Sequence, residues 1–204
     1  MRWQLVPVVL LLAACTSTSG TASPSPSPSP SATASPTPSE TPSPTTTAVV
    51  PGGQAALELE DGGLGEFRPP AHISHWEFGQ ITASQATALV GHYLGAGKAV
   101  DLPDCGQGHR TGRSWGGFQL LFDGSTWVGW TDGPNGSHAS TTDGIAVGIT
   151  RQQLEASGTA FSYKQTSLGT EFSVSGGTFG GVLSGPARTD RVTTLYSGET
   201  CFFR

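Results

Sequence analysis

The segment Phe118-Gln-Leu-Leu-Phe-Asp-Gly-Ser-Thr-Trp-Val-Gly-Trp130 has a strand pattern from which the fold can be predicted. Phe118, Leu120 and Phe122 alternate with their neighbours at the two-residue period of a β-strand. The turn residues Asp123-Gly124-Ser125 follow, and after them comes a second apolar segment, Trp127-Val128-Gly129-Trp130. The sequence therefore predicts an antiparallel β-hairpin.

Further short strand candidates come after the hairpin, separated by turns that contain Gly or Ser. They are Phe161–Lys164, Glu171–Val174, Thr178–Leu183, Val192–Tyr196 and Thr200–Phe203. Short consecutive strands of this kind favour an antiparallel sheet that includes the hairpin.

A helix is predicted upstream of the hairpin, from Thr82 to Leu94. Its apolar residues recur at helical spacing and form one stripe. Thr82 and Gln85 have the spacing of a capping box, and Gly95 stands where a helix usually ends. Helix and strands together predict an α+β fold, an antiparallel sheet with one or two helices packed on one face.

A second helix start with the same chemistry lies at Gly148-Ile149-Thr150-Arg151-Gln152-Gln153-Leu154. It shares Ile-Thr-x-x-Gln and a preceding glycine with the first start, and an Asp-Gly segment lies upstream of each. This repetition suggests an internal duplication. Chance similarity is the alternative, because the match covers only a short stretch.

The two helix starts also carry a resemblance to known proteins. The residues concerned are Gly79, Ile81, Thr82 and Gln85, and again Gly148, Ile149, Thr150 and Gln153. The pattern resembles the repeat unit of beta-lactamase inhibitory protein and of small outer-membrane-assembly lipoproteins with a helix-plus-hairpin design. Those families imply a binding module without catalysis, and no functional residue carries over from the pattern.

The N-terminus contains a short apolar run that ends in Leu12-Ala13-Ala14-Cys15. The run, Leu5–Leu12, follows Arg2 and is too short to cross a bilayer. Two small residues before Cys15, with Leu12 ahead of them, resemble the bacterial lipoprotein signal. That resemblance implies cleavage before Cys15, diacylation of its thiol and anchoring at the outer face of the cell membrane. A plain signal peptide with an unrelated cysteine is the alternative.

The rest of the chain divides into a stalk and a domain. Residues 1–14 are predicted to be the signal peptide, residues 15–50 the lipidated cysteine and stalk, and residues 51–204 a globular domain. Most stalk residues are Ser, Thr or Pro, which bury too little apolar surface to fold. Extended at about 3.1 Å per residue, the stalk would reach roughly 100 Å and carry the domain into the cell wall. It is either O-glycosylated or a plain spacer.

Charge and motifs exclude several classes of function. Only 12% of residues are charged and the net charge is −5, without the basic stripe of a nucleic-acid-binding protein. Gly106-Gln107-Gly108 lacks the third glycine of a dinucleotide-binding loop. The chain combines the Cys15 signal and the Ser/Pro stalk with a Thr142-Asp143-Gly144-Ile145 segment and a terminal Cys201-Phe202-Phe203-Arg204. In this combination it is similar to actinobacterial lipoproteins. We therefore expect a membrane partner through the lipid, no nucleic acid and no cofactor.

Two cysteines remain if Cys15 carries lipid. Cys105 and Cys201 are expected to form a disulfide, as is usual for a pair in an exported domain. The bond would join the loop after the first helix to the final strand. The alternatives are free thiols or a metal site that uses Cys105 with His109.

Three tryptophans, Trp115, Trp127 and Trp130, are the candidate binding residues. Exposed on a sheet, their rings would give contact area for a sugar ring or a protein. Strand alternation would place Trp127 and Trp130 on opposite faces, so the alternative is that at least one of them belongs to the core.

No catalytic residue and no metal ligand is predicted. Gly112-Arg113-Ser114-Trp115-Gly116 matches a nucleophile elbow, but it follows a polar segment and precedes a strand instead of a helix. His72 and His75, three apart on a strand, would face opposite sides. Glu77 would share a face with His75, and zinc would still need further ligands.

These observations favour a cell-envelope lipoprotein that displays a non-catalytic binding domain on a stalk, with a cell-wall polymer or an envelope protein as partner. The alternative is a small envelope-associated hydrolase acting on cell-wall polymer. A deep polar cleft with two carboxylates or a His–carboxylate pair would favour the hydrolase. A shallow aromatic groove would favour binding.

Overall fold

A computed structural model describes residues 55–202, which contain eleven strands and two helices. The strands are β1 Ala56–Glu60, β2 Gly63–Arg68, β3 Ala71–Glu77, β4 Lys98–Leu102, β5 Arg110–Trp115, β6 Phe118–Asp123, β7 Thr126–Asp132, β8 Phe161–Thr166, β9 Gly169–Val174, β10 Gly180–Leu183 and β11 Val192–Gly198, and the helices are α1 Ala83–Leu94 and α2 Arg151–Ala156. The fold is α+β and dominated by antiparallel sheet. The predicted signal peptide, Cys15 and the stalk lie outside the described residues.

Eight strands form the larger sheet, in the order β4-β5-β6-β7-β11-β10-β9-β8. The predicted hairpin is confirmed as β6–β7, with Gly124 at φ +56° in its two-residue turn. Each half of this sheet is a meander of four consecutive strands that follows a helix along the chain. The halves meet where β7 pairs with β11.

The inner face of the larger sheet forms the core. Alternation directs Phe118 and Leu120 to this face, where both are fully buried. Ala86 and Val90 of α1 and Leu154 of α2 belong to the same core cluster. The helices therefore cover the inner face, and the opposite, outer face carries the intervening residues of each strand.

A smaller sheet of β1, β2 and β3 was not predicted. Leu57, Leu59 and Leu64 of this sheet are buried and join the same core cluster. The alternation of Leu and Glu in β1 is typical of a strand with one buried face. β3 is mostly polar and exposed, so it has no such pattern.

Both predicted helix starts are confirmed, including their capping boxes. The backbone N–H of Gln85 donates to Thr82 Oγ1 at 3.3 Å, and the Thr82 N–H donates to Gln85 Oε1 at 2.9 Å. The same pair of bonds joins Thr150 and Gln153, at 3.2 and 2.8 Å. Gly95 caps α1 at φ +79°. Local side-chain chemistry therefore determines where each helix begins.

Four of the five later strand candidates correspond to β8 to β11. The fifth, Thr200–Phe203, is wrong for the residues described, because the chain leaves the sheet after Gly198. The backbone N–H of Glu199 donates to the Val128 carbonyl at 2.9 Å as it does so. Within residues 55–202, neither helix has the length and apolar character needed to cross a bilayer.

Candidate functional site

All three tryptophans predicted as binding residues lie in the core. Trp127 and Trp130 are fully buried, and Trp115 is 8% exposed. Each indole N–H donates to a backbone carbonyl: Trp115 to Gly95 at 2.7 Å, Trp127 to Gly129 at 2.9 Å and Trp130 to Gly63 at 2.7 Å. A ligand therefore has no access to these rings, and the alternative assignment to the core is correct.

A β-bulge explains why Trp127 and Trp130 share a face. Trp127 pairs with Phe122, whereas Gly129 pairs with Leu121, so Val128 is the extra residue on β7. The bulge shifts the alternation by one residue. The prediction that the two tryptophans face opposite sides is therefore wrong.

Ser114 of the elbow-like motif lies on β5, close to the turn into β6. Its hydroxyl donates to the carbonyl of Gly116 at 3.2 Å. A nucleophile elbow is a turn from a strand into a helix, whereas this segment is a turn between two strands. The match to Gly-x-Ser-x-Gly is thus a feature of a β-hairpin.

Cys105 and Cys201 form a disulfide, with Cα atoms 4.7 Å apart and 96 residues of separation. In the chain-entropy model a loop of this size stabilises the fold by about 4–5 kcal/mol. Cys105 lies between β4 and β5, and Cys201 lies beyond β11 instead of in a final strand. The bond therefore fixes the end of the chain to the first four-stranded meander.

On the outer face of the larger sheet, a row of directly paired residues crosses all eight strands; seven of them have polar side chains and the eighth is a glycine. Direct strand pairing places the members in line from β4 to β8. They are Lys98, Ser114, Gln119, Thr131, Tyr196, Gly180, Ser173 and Ser162. We call this set the polar row. At about 4.8 Å between neighbouring strands it spans roughly 34 Å.

Hydroxyl and amide groups dominate the polar row. Gln119, Thr131 and Ser173 are half-buried, and Ser162 is exposed. In the middle of the row Tyr196 is buried, with the Phe202 ring edge-on at a centroid distance of 5.6 Å. The row is therefore a shallow, nearly neutral surface of hydrogen-bonding groups, with one aromatic pair at its centre.

A second cluster lies on the smaller sheet, where β1 contributes carboxylates and β3 contributes imidazoles. His72 Nδ1 is 2.8 Å from Glu58 Oε2, and His75 Nδ1 contacts Glu60 Oε2. His75 Nε2 is 3.3 Å from Glu77 Oε1, which confirms the predicted shared face of His75 and Glu77. We call these five residues the His–Glu cluster. Both imidazoles are half exposed, so the cluster lies on an open surface.

A β-bulge in β3 also makes the prediction wrong that His72 and His75 face opposite sides. Ser74 pairs with Glu66 and His72 pairs with Phe67, which leaves Ile73 as the extra residue. His72 and His75 therefore face the same side of β3. The sequence prediction placed them on opposite sides because it assumed unbroken alternation.

The carboxylates determine the charge of His75. Burial is the largest single influence and would lower the pKa of His75 from its ordinary value of 6.5. Hydrogen bonds to Glu77 and Glu60, together with their negative charges, outweigh burial and raise the pKa. In its protonated form, the imidazole pairs with carboxylates of both β1 and β3.

Comparisons of the chain with protein-family models, curated proteins and solved structures find no match.

Proposed function

We propose that the protein is a cell-envelope lipoprotein that displays a non-catalytic binding domain on a flexible stalk. Cys15 carries the lipid at the outer face of the cell membrane, and the stalk extends the domain into the cell wall. The polar row supports the binding role most strongly, because it offers side-chain donors and acceptors on both sides of its buried centre, Tyr196 and Gly180.

The chemistry of the polar row favours a polymer as the ligand. An extended, hydroxyl-rich chain such as a cell-wall glycan can meet successive strands with successive polar groups. Lys98 at one end is the only charged member of the row. Binding of such a ligand should therefore depend little on salt, whereas binding of a charged envelope protein should weaken as salt is added.

An internal duplication is part of the proposal. Two observations support it: both capping boxes use Thr and Gln at the same spacing, and each helix precedes a four-stranded meander. A duplicated unit would also explain why the polar row continues from one half of the sheet into the other.

The binding role can be tested by co-sedimentation of the purified protein with isolated cell-wall polymer. Replacing Thr131 or Ser173 by Arg puts a long charged side chain into the polar row and should raise the dissociation constant about tenfold, a loss of roughly 1.4 kcal/mol. Ala88→Arg, on the exposed side of α1, is the matched control and should bind like the wild type. Equal binding by all variants would contradict the proposed surface.

The hydrolase remains the alternative, and the His–Glu pairs are the observation in its favour. These pairs lie on an open sheet face, and their imidazoles are half exposed. Hydrolases, in contrast, usually act in a concave site that excludes bulk water. Soluble sugar or peptide fragments should not accumulate during the sedimentation experiment. Fragments that disappear in a His75→Gln variant would establish the hydrolase instead.

A further inference from the structure

A glycine of β2, Gly65, makes room for the His–Glu cluster. Strand pairing aligns Glu58 with Gly65 and His75, and Glu60 with Gly63 and Glu77. Because glycine has no side chain, groups from β1 and β3 can meet above the central strand. A Cβ atom at Gly65 would overlap the Glu60 carboxylate and lie 3.4 Å from Glu58 Oε2. The surface of β2 is therefore shaped to hold ligand atoms from both neighbouring strands.

The possible ligand atoms of this cluster that lie closest together belong to Glu58, Glu60 and His72. One carboxylate oxygen from each glutamate and one imidazole nitrogen lie within 4.8 Å of one another. Atoms this close can share one ion, since zinc binds imidazole nitrogen and carboxylate oxygen at about 2.0–2.2 Å.

A buried oxygen in this group lacks a hydrogen-bond partner. Glu58 is 4% exposed, and its Oε2 accepts no hydrogen bond. His72 Nδ1 is 2.8 Å away but is not aligned to donate to it. The other oxygen, Oε1, accepts from the Thr142 hydroxyl at 2.6 Å, which fixes the carboxylate. An oriented carboxylate oxygen without a donor is costly in a protein alone and suited to a cation.

We propose that Glu58, Glu60 and His72 bind one divalent transition-metal ion, with Zn²⁺ as the best fit. The imidazole distinguishes such an ion from Mg²⁺ and Ca²⁺, which prefer all-oxygen sites. His75 contacts Glu60, one of the two carboxylate ligands, and acts as a positioning residue for it. Because the His72 side chain is half exposed, the remaining coordination position is open to water or to a ligand.

The test is zinc binding by the full chain, purified without a histidine tag and measured by equilibrium dialysis and metal analysis. One Zn²⁺ per chain is expected, and His72→Gln should weaken binding at least about tenfold. His75→Gln should weaken it by a similar factor through Glu60. His109→Gln is the matched control: His109 pairs with Asp101 at 2.6 Å on a different sheet, and its loss should leave zinc binding unchanged.

Gly65→Ala removes no ligand, but its Cβ atom would displace the Glu60 carboxylate. This variant should therefore also bind zinc more weakly. Circular dichroism identifies any variant that fails to fold. If Gly65→Ala fails to fold, His72→Gln still tests the site, because the His72 side chain is half exposed and its replacement should leave the fold intact. Absence of bound zinc in the wild type, or equal zinc affinity in His72→Gln and His109→Gln, would overturn the proposal. Displacement of Zn²⁺ by a moderate excess of Mg²⁺ would also overturn it.

Discussion

Asp132 is a carboxylate that the fold buries and then satisfies with hydrogen bonds. It lies at the end of β7 and is 1% exposed. The backbone N–H and the hydroxyl of Ser137 donate to its two oxygens, each at 2.8 Å. Burial raises the pKa of Asp132 above its ordinary value of 3.8, and the hydrogen bonds from Ser137 only partly oppose this rise. The ionised Asp132 carboxylate therefore lowers the stability of the domain, while its hydrogen bonds with Ser137 order the loop after β7.

The raised pKa of Asp132 predicts how stability depends on pH. Between pH 3.8 and the raised pKa the folded state binds more protons than the unfolded state, so this contribution to stability is lost as pH rises. Asp132→Asn removes the titration. The free energy of unfolding of the wild type, minus that of the variant, should fall as pH rises through this window and then level off. Urea unfolding at a series of pH values measures it, and a difference that increases with pH would contradict the assignment.

At the scale of elements, caps and bulges explain what the sequence could and could not predict. The helix starts and the central hairpin were predictable because their chemistry is local: a Thr and a Gln three residues apart, and a period of two. The two bulges, at Val128 and Ile73, were not predictable from period alone, since an extra residue depends on the pairing of a neighbouring strand. Each bulge brings together side chains that unbroken alternation would separate. For this reason Trp127 and Trp130 both lie in the core, and the His–Glu cluster was not predicted.

The capping box of α1 should make a measurable contribution to stability. Thr82→Ala removes the side-chain acceptor for the Gln85 N–H and should lower the free energy of unfolding by about 1 kcal/mol. Thr87→Ala in the same helix is the control and should be neutral or slightly stabilising, because Ala has the higher helix propensity. Denaturant titration compares the two. A loss of stability of the same size in both variants would show that the cap itself contributes nothing.

At the scale of the whole molecule, the described domain has one core shared by two sheets and two helices, closed by a disulfide at its end. The polar row and the His–Glu cluster lie on different sheets of this domain, so polymer binding and metal binding can be tested separately. The proposed function places the domain in the cell envelope, where a stalk with almost no apolar residues leads from Cys15 toward the first strand. In this proposal, lipidation of Cys15 holds the protein at the membrane.

Fractionation of cells that express the Cys15→Ser variant shows whether this cysteine holds the protein at the membrane. Two acyl chains on one residue give stable anchoring, whereas no other feature predicted from the sequence supplies it. The wild type should sediment with membranes, and so should the control Ser17→Ala, which changes the stalk next to the anchor. The Cys15→Ser variant should leave the membrane pellet and appear in the soluble fraction. If it stays in the pellet, the protein is not held by a lipid on Cys15, and the account of an anchored binding domain is contradicted.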